Sequence, residues 1–170
     1  MKIRRNSAFA ALSVASIVFA LQTPATGSVP QRGARGGLHH TLRLKVNFLT
    51  FSSTNPSLSH DLTNTEVLMV GDQFTLAGSV EGIENPETGH FGVHFVSTGL
   101  AGPAANLLAH GALTLSGGTI TFQMLVRPSD NPARAAITGG TRAYSNAGGE
   151  LVHYSHPNGD QEFVFYFSTH

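Results

Sequence analysis

The sequence predicts an all-β chain closing into a single eight-stranded antiparallel barrel, and three observations carry that reading. Apolar residues recur at every second position in short runs beyond residue 40, the alternation of a strand with one buried face. No window after Ser28 carries a convincing 3.6-residue apolar period, so helices have little place in the fold. The runs number eight and are separated by turn-forming clusters, and an even set of antiparallel strands joined by local turns removes its exposed edges by closing. A two-sheet sandwich with Greek-key crossings satisfies the same periodicity and stays open as an alternative.

Before the first strand, Lys2, Arg4 and Arg5 precede an apolar run over 8–21 and then Thr23-Pro24-Ala25-Thr26-Gly27-Ser28. This is the layout of a secretory signal peptide, and the run of roughly 14 residues is short of the ~20 that a membrane-spanning helix needs. Asn6-Ser7-Ala8 after the arginine pair is a poor match to a twin-arginine signal, so the general secretory route is expected. The expected organisation is a signal peptide over 1–27, a Gly- and Arg-containing flexible leader over 28–40, and a barrel domain over 41–170. The expected product is a secreted or extracytoplasmic protein with no stable membrane anchor after cleavage.

The first strand is marked by Leu42, Leu44, Val46 and Phe48 alternating with Arg43, Lys45 and Asn47. A Ser-, Thr- and Asn-rich stretch over 52–65 reads as a surface loop, because those side chains compete for local backbone hydrogen bonds. Strand two follows Gly71-Asp72 with Phe74, Leu76 and Val80, and strand three carries Phe91, Val93 and Phe95 after the Asn85-Pro86-Glu87-Thr88-Gly89 turn. The clearest hairpin joins 106–115 to 119–127 through Ser116-Gly117-Gly118, with Ile120, Phe122, Met124 and Val126 on one face. Strands six, seven and eight are read at 135–138, 150–154 and 161–168, the last two linked by Pro157-Asn158-Gly159, where Asn-Gly supplies a tight hairpin turn.

Composition narrows the chemistry. The chain has 170 residues, 41% hydrophobic and 12% charged, with no cysteine, which suits one compact domain and excludes disulfides and thiolate chemistry. Loss of Lys2, Arg4 and Arg5 with a signal peptide would leave seven basic residues against 10 acidic ones, and the remaining arginines and lysine form no basic patch, so nucleic acid is not an expected partner. Nine histidines raise the question of a metal. His90 and His94 share a strand face but lie about 13 Å apart at ~3.3 Å per residue, too far for one ion. His153 and His156 fall on opposite faces of a continued strand. No metal or cofactor is expected from single-strand spacing, while a site assembled across strands stays open. No Gly-x-Ser-x-Gly elbow or phosphate-cradling glycine loop occurs, which leaves hydrolase and nucleotide-binding readings without support.

Two adjacent glycines in Ile137-Thr138-Gly139-Gly140-Thr141-Arg142-Ala143-Tyr144 mark a corner that needs backbone angles only glycine adopts freely. Ala135-Ala136-Ile137-Thr138-Gly139-Gly140-Thr141, followed by Glu162-Phe163-Val164-Phe165-Tyr166-Phe167, resembles the C-terminal half of the allene oxide cyclase and dirigent barrels. The resemblance covers 71–167, with Tyr144 and Ala147-Gly148-Gly149 continuing the dirigent pattern and Gly71-Asp72 matching the cyclase opening of an early strand. Arg142 stands where the dirigent pattern has a third glycine, and Phe74 or Thr75 stands where the cyclases have a pocket-shaping proline, which argues against allene oxide itself as substrate. The resemblance implies an eight-stranded barrel, often trimeric, whose apolar lumen folds a reactive small molecule into one product isomer.

On that reading Phe91, Phe95, Phe122, Met124 and Phe165 shape a ligand pocket, with ordinary barrel packing as the alternative. Tyr144 either caps that pocket or pins the glycine corner. The resemblance places an acid and an arginine in the loop after strand five, where this chain has Asp130 and Arg134. Their expected work is proton transfer to an enol or quinone-methide oxygen and steadying of the developing anion, against a plain solvated ion pair. Glu81 is a third candidate acid if it faces the lumen rather than solvent. The functional expectation is therefore stereoselective cyclisation or coupling of an apolar small molecule by an isomerase-type cyclase or dirigent-like protein. A non-catalytic lipid or pigment carrier and a solid structural barrel are the alternatives, with a homodimer or homotrimer as the expected assembly.

Overall fold

The computed structural model describes residues 38–58, 65–99 and 104–169. The expected signal segment and most of the expected leader lie outside the described residues. Eight strands follow in order: β1 (Leu38–Ser53), β2 (Gln73–Gly82), β3 (Thr88–Thr98), β4 (Asn106–Leu115), β5 (Gly118–Val126), β6 (Ala133–Gly140), β7 (Gly148–Ser155) and β8 (Gln161–Thr169). Each pairs antiparallel with the next, and β8 returns to β1 in a register running from Leu38 opposite Thr169 to Val46 opposite Gln161. The sheet closes on itself, which decides against the sandwich.

β1 explains how closure is reached. It begins at Leu38, ahead of the expected boundary at residue 41, and runs into the stretch read from sequence as a loop. Residues as far as Val46 pair with β8, while the part from Leu44 onward pairs with β2, and this stagger is the shear that a closed barrel requires. The β1–β2 register shifts between Phe48 and Thr50, so one extra residue reverses the inward phase: Leu44 and Val46 point in before the bulge, and Phe51 packs on the core after it.

Burial alternates along β3 to β6, whereas β7 and β8 also bury the outward residues Val152, Glu162 and Val164. Phe91, Val93, Phe95 and Ser97 of β3 are buried, as are Ile120, Phe122 and Val126 of β5 and Phe163, Phe165 and Phe167 of β8. The lumen is filled largely by rings. Phe163 meets Phe91 at a centroid distance of 5.3 Å, Phe165 at 6.2 Å and Phe122 at 6.5 Å, all edge-on, and Phe74 stacks on Phe95 at 4.6 Å. Gly111 makes room for this packing, because a Cβ there would lie 2.6 Å from Phe122 Cζ. Edge-to-face and offset contacts at these distances add roughly 0.5–1.5 kcal/mol per pair to the area buried.

On the outer wall, the register aligns Arg134, Val152, Val164 and Arg43 in a row across β6, β7, β8 and β1. Arg134 pairs with Glu150 at 2.6 Å, and Arg43 pairs with the nearly buried Glu162 at 2.8 Å. His156 Nε2 also lies 3.2 Å from Glu162. Val152 and Val164, both almost fully buried, sit between these pairs.

Candidate functional site in the barrel lumen

The aromatic filling is incomplete at one end. Leu76, Phe91, Val93, Phe95, Phe122, Met124, Ala133, Ala135, Leu151, His153 and Phe163 surround a cavity of about 40 Å³. Met124, Ala133 and His153 lie close to strand ends at the β5–β6 and β7–β8 connections, which fixes the end of the barrel that the cavity faces. Asn131, in the β5–β6 connection, ties this end together by donating from Nδ2 to the Ser155 carbonyl at 2.8 Å and accepting from the Ser155 N–H at 3.1 Å. A volume of this size holds on the order of a few waters, so the enclosed space alone is far below the ~300 Å³ of an ordinary ligand pocket.

One lining side chain titrates. His153 lies opposite Ala133 on β6 and Phe163 on β8, and its ring meets Phe163 edge-on at 5.3 Å. Its Nε2 lies 2.7 Å from Gln161 Oε1, an oxygen that also accepts from Ser155 Oγ at 2.8 Å. With Gln161 Oε1 as its partner, Nε2 carries the proton of the neutral ring and Nδ1 carries the lone pair. Burial holds the imidazole below its ordinary pKa by disfavouring the cation, with the Gln161 hydrogen bond opposing that shift. The site is therefore an apolar recess carrying one neutral hydrogen-bond acceptor.

The residues expected from sequence are distributed unevenly around it. Phe91, Phe95, Phe122 and Met124 come together in the cavity wall. Phe165 is fully buried, 6.3 Å from Phe122, and lies outside the lining. Tyr144 sits in the β6–β7 corner, at the opposite end of the barrel, with its ring 5.9 Å from Phe167 and its hydroxyl pushed up in pKa by burial and then by Glu87. Asp130 lies in the connection beside the cavity, where Oδ2 accepts from the Arg127 N–H at 2.8 Å. Arg134 points outward to Glu150, and Glu81 is exposed on the outer face of β2 opposite Lys45, so neither lines the lumen.

Among the lining residues that sequence reasoning missed are His153, Leu151 and Phe163. The signal was present: Leu151, His153 and Ser155 alternate with Val152 and Tyr154, and with Leu151 inward the period of two carries His153 into the lumen.

No family model matches the chain, and no curated protein matches it. Among solved structures, one described as pyocyanin demethylase aligns with a TM-score of 0.60 at 20% sequence identity, covering 75% of this chain and 99% of that one. At that identity the likeness establishes the closed barrel as a shared fold.

Proposed function

We propose that the barrel binds a neutral, predominantly apolar small molecule at the His153 end of its lumen and guides its conversion outside the cytoplasm. The observation that carries this reading is the aromatic recess with a single half-buried, uncharged acceptor at its wall. Apolar walls with few polar groups are the usual composition of small-molecule sites, and eight strands are the size at which a barrel holds either packed side chains or one small ligand. The likeness to a barrel described as acting on pyocyanin supports a small organic substrate, and the resemblance to allene oxide cyclases and dirigent proteins supports stereoselective cyclisation or coupling. The basic, apolar and small-residue order of the first 28 residues supports export.

Ligand seating requires the recess to widen, and its wall has members able to yield. Leu76 and Met124 are only partly buried, and an unbranched thioether side chain adopts alternative rotamers at low cost. Once seated, a substrate hydroxyl or N–H donates to His153 Nδ1, and the same nitrogen receives that proton if the reaction releases it. The surrounding rings hold one folded form of the molecule and exclude water, which lowers the entropy lost on reaching the transition state. Asp130, exposed in the β5–β6 connection at this end of the barrel, is the candidate for returning a proton at the mouth. A carrier is the second reading, favoured by the presence of only one titratable group among the lining residues.

The test compares 1-naphthol with naphthalene by fluorescence and by chemical-shift changes at Met124 and Phe122. Binding of 1-naphthol roughly tenfold tighter than naphthalene is expected for one added hydrogen bond, with the preference abolished in His153→Phe. Failure of both probes to bind, or equal affinities in the parent protein, overturns the proposed site.

A further inference from the structure

Outside the lumen, the geometry points to a second site: a first-row divalent transition ion, Cu²⁺, Ni²⁺ or Zn²⁺, held by His94 and His110 on the outer wall. The two residues face each other across the β3–β4 ladder and both point outward, one half-buried and one exposed. Their ring centroids are 5.1 Å apart and the planes are inclined by 54°. Metal–nitrogen bonds of about 2.0–2.1 Å to two imidazoles at a tetrahedral angle place the ring centres about 5 Å apart, and the observed centroid spacing matches that requirement. Residues four apart on one strand cannot reach this spacing, whereas register partners on neighbouring strands reach it directly.

The surroundings suit an open, exchangeable site. The pair lines a groove of about 500 Å³ whose other members include Thr75, Gly92, Thr121 and Gln123. A Cβ on Gly92 would meet nothing within 4 Å, which leaves space beside the pair for bound water. Thr75 lies opposite His94 and Gln123 opposite His110, so oxygen-bearing side chains flank the histidines on both sides. No carboxylate lines the groove, which disfavours Mg²⁺ and Ca²⁺ and leaves imidazole as the selecting ligand. Among the described residues no group of three or more His, Cys, Asp or Glu side chains converges. The ion therefore keeps two or more positions for water or for an oxygen-bearing ligand from solution. Of the three ions, Cu²⁺ binds tightest by the Irving–Williams order.

The proposal is tested on the chain without an added histidine tag, titrated with CuCl2 and ZnCl2. Electron paramagnetic resonance is expected to show nitrogen ligation of Cu²⁺, and paramagnetic broadening to begin at His94 and His110. His94→Ala and His110→Ala each weaken binding at least tenfold, while His90→Ala, another outward residue of β3, leaves it unchanged. Zn²⁺ raises the Tm of the parent protein and not that of either variant, and His94→Gln, which keeps a polar group on the wall, gives the same loss. Unchanged affinity in either single variant, or broadening centred on other histidines, overturns the site.

Discussion

A neutral imidazole inside an apolar wall makes stability depend on pH in a definable direction. Burial holds His153 below its ordinary pKa, so the unfolded chain binds a proton that the folded barrel excludes. The contribution is complete above about pH 6.5, declines as pH falls from there toward the depressed folded value, and levels off once the folded imidazole also protonates. One group imposes a slope of at most about 1.4 kcal/mol per pH unit. His153→Phe is expected to flatten the fall in Tm between pH 7 and pH 5 without altering the decline at lower pH, where carboxylates titrate. An identical slope in the variant removes the neutral His153 as its cause. The same residue shows where sequence reading stopped short: its type was noticed, but its face follows only when the strand's phase is anchored at Leu151.

Among the elements, the β6–β7 corner repays the closest attention. Gly139 adopts φ +151°, and a Cβ on Gly140 would fall 2.5 Å from the Tyr144 carbonyl oxygen and 2.6 Å from that of Thr119, so both glycines flagged in the sequence meet a structural requirement. Arg142, where the dirigent pattern has glycine, is held at φ +54°. A side-chain-bearing residue in the left-handed region costs about 1–2 kcal/mol, and glycine recovers this less the roughly 0.4–1 kcal/mol it adds to unfolded-chain entropy. Arg142→Gly is therefore expected to raise Tm by a few degrees, whereas Gly140→Ala lowers it. Thermal unfolding of the two variants checks the pair, and a lower Tm for Arg142→Gly means that the arginine side chain supplies compensating contacts. The hairpin of β4 and β5 was legible because both alternation and turn residues announced it. The full length of β1 was hidden because Ser52 and Ser53 lack an apolar signal and because the bulge after Phe48 breaks the period on which strand reading depends.

At the scale of the whole molecule, closure was legible and filling was not. Eight alternating segments with local turns leave an unpaired edge unless they close, and that argument needs no side-chain detail. Whether the interior is hollow depends on the summed volumes of facing residues, such as Gly111 opposite Phe122, and on rings that meet only after the strands are sheared into register. A closed wall also limits how a filled interior responds to truncation, because β-sheet hydrogen bonds on both sides of every strand resist inward collapse. Phe122 is 2% exposed, touches both Phe163 and Phe165, and lines the small cavity. Phe122→Ala is expected to lose about 3–5 kcal/mol and to leave much of the vacated volume joined to the existing recess. Phe122→Leu, with a smaller loss, keeps the comparison available if the alanine variant fails to fold. Saturating benzene should then raise the Tm of the truncated variant by more than that of the parent protein, since only the variant has room for the ring without widening of the recess. A loss well under 2 kcal/mol with no response to benzene would mean that the wall relaxes inward, and the lumen would then owe its dimensions to its side chains rather than to the closed sheet.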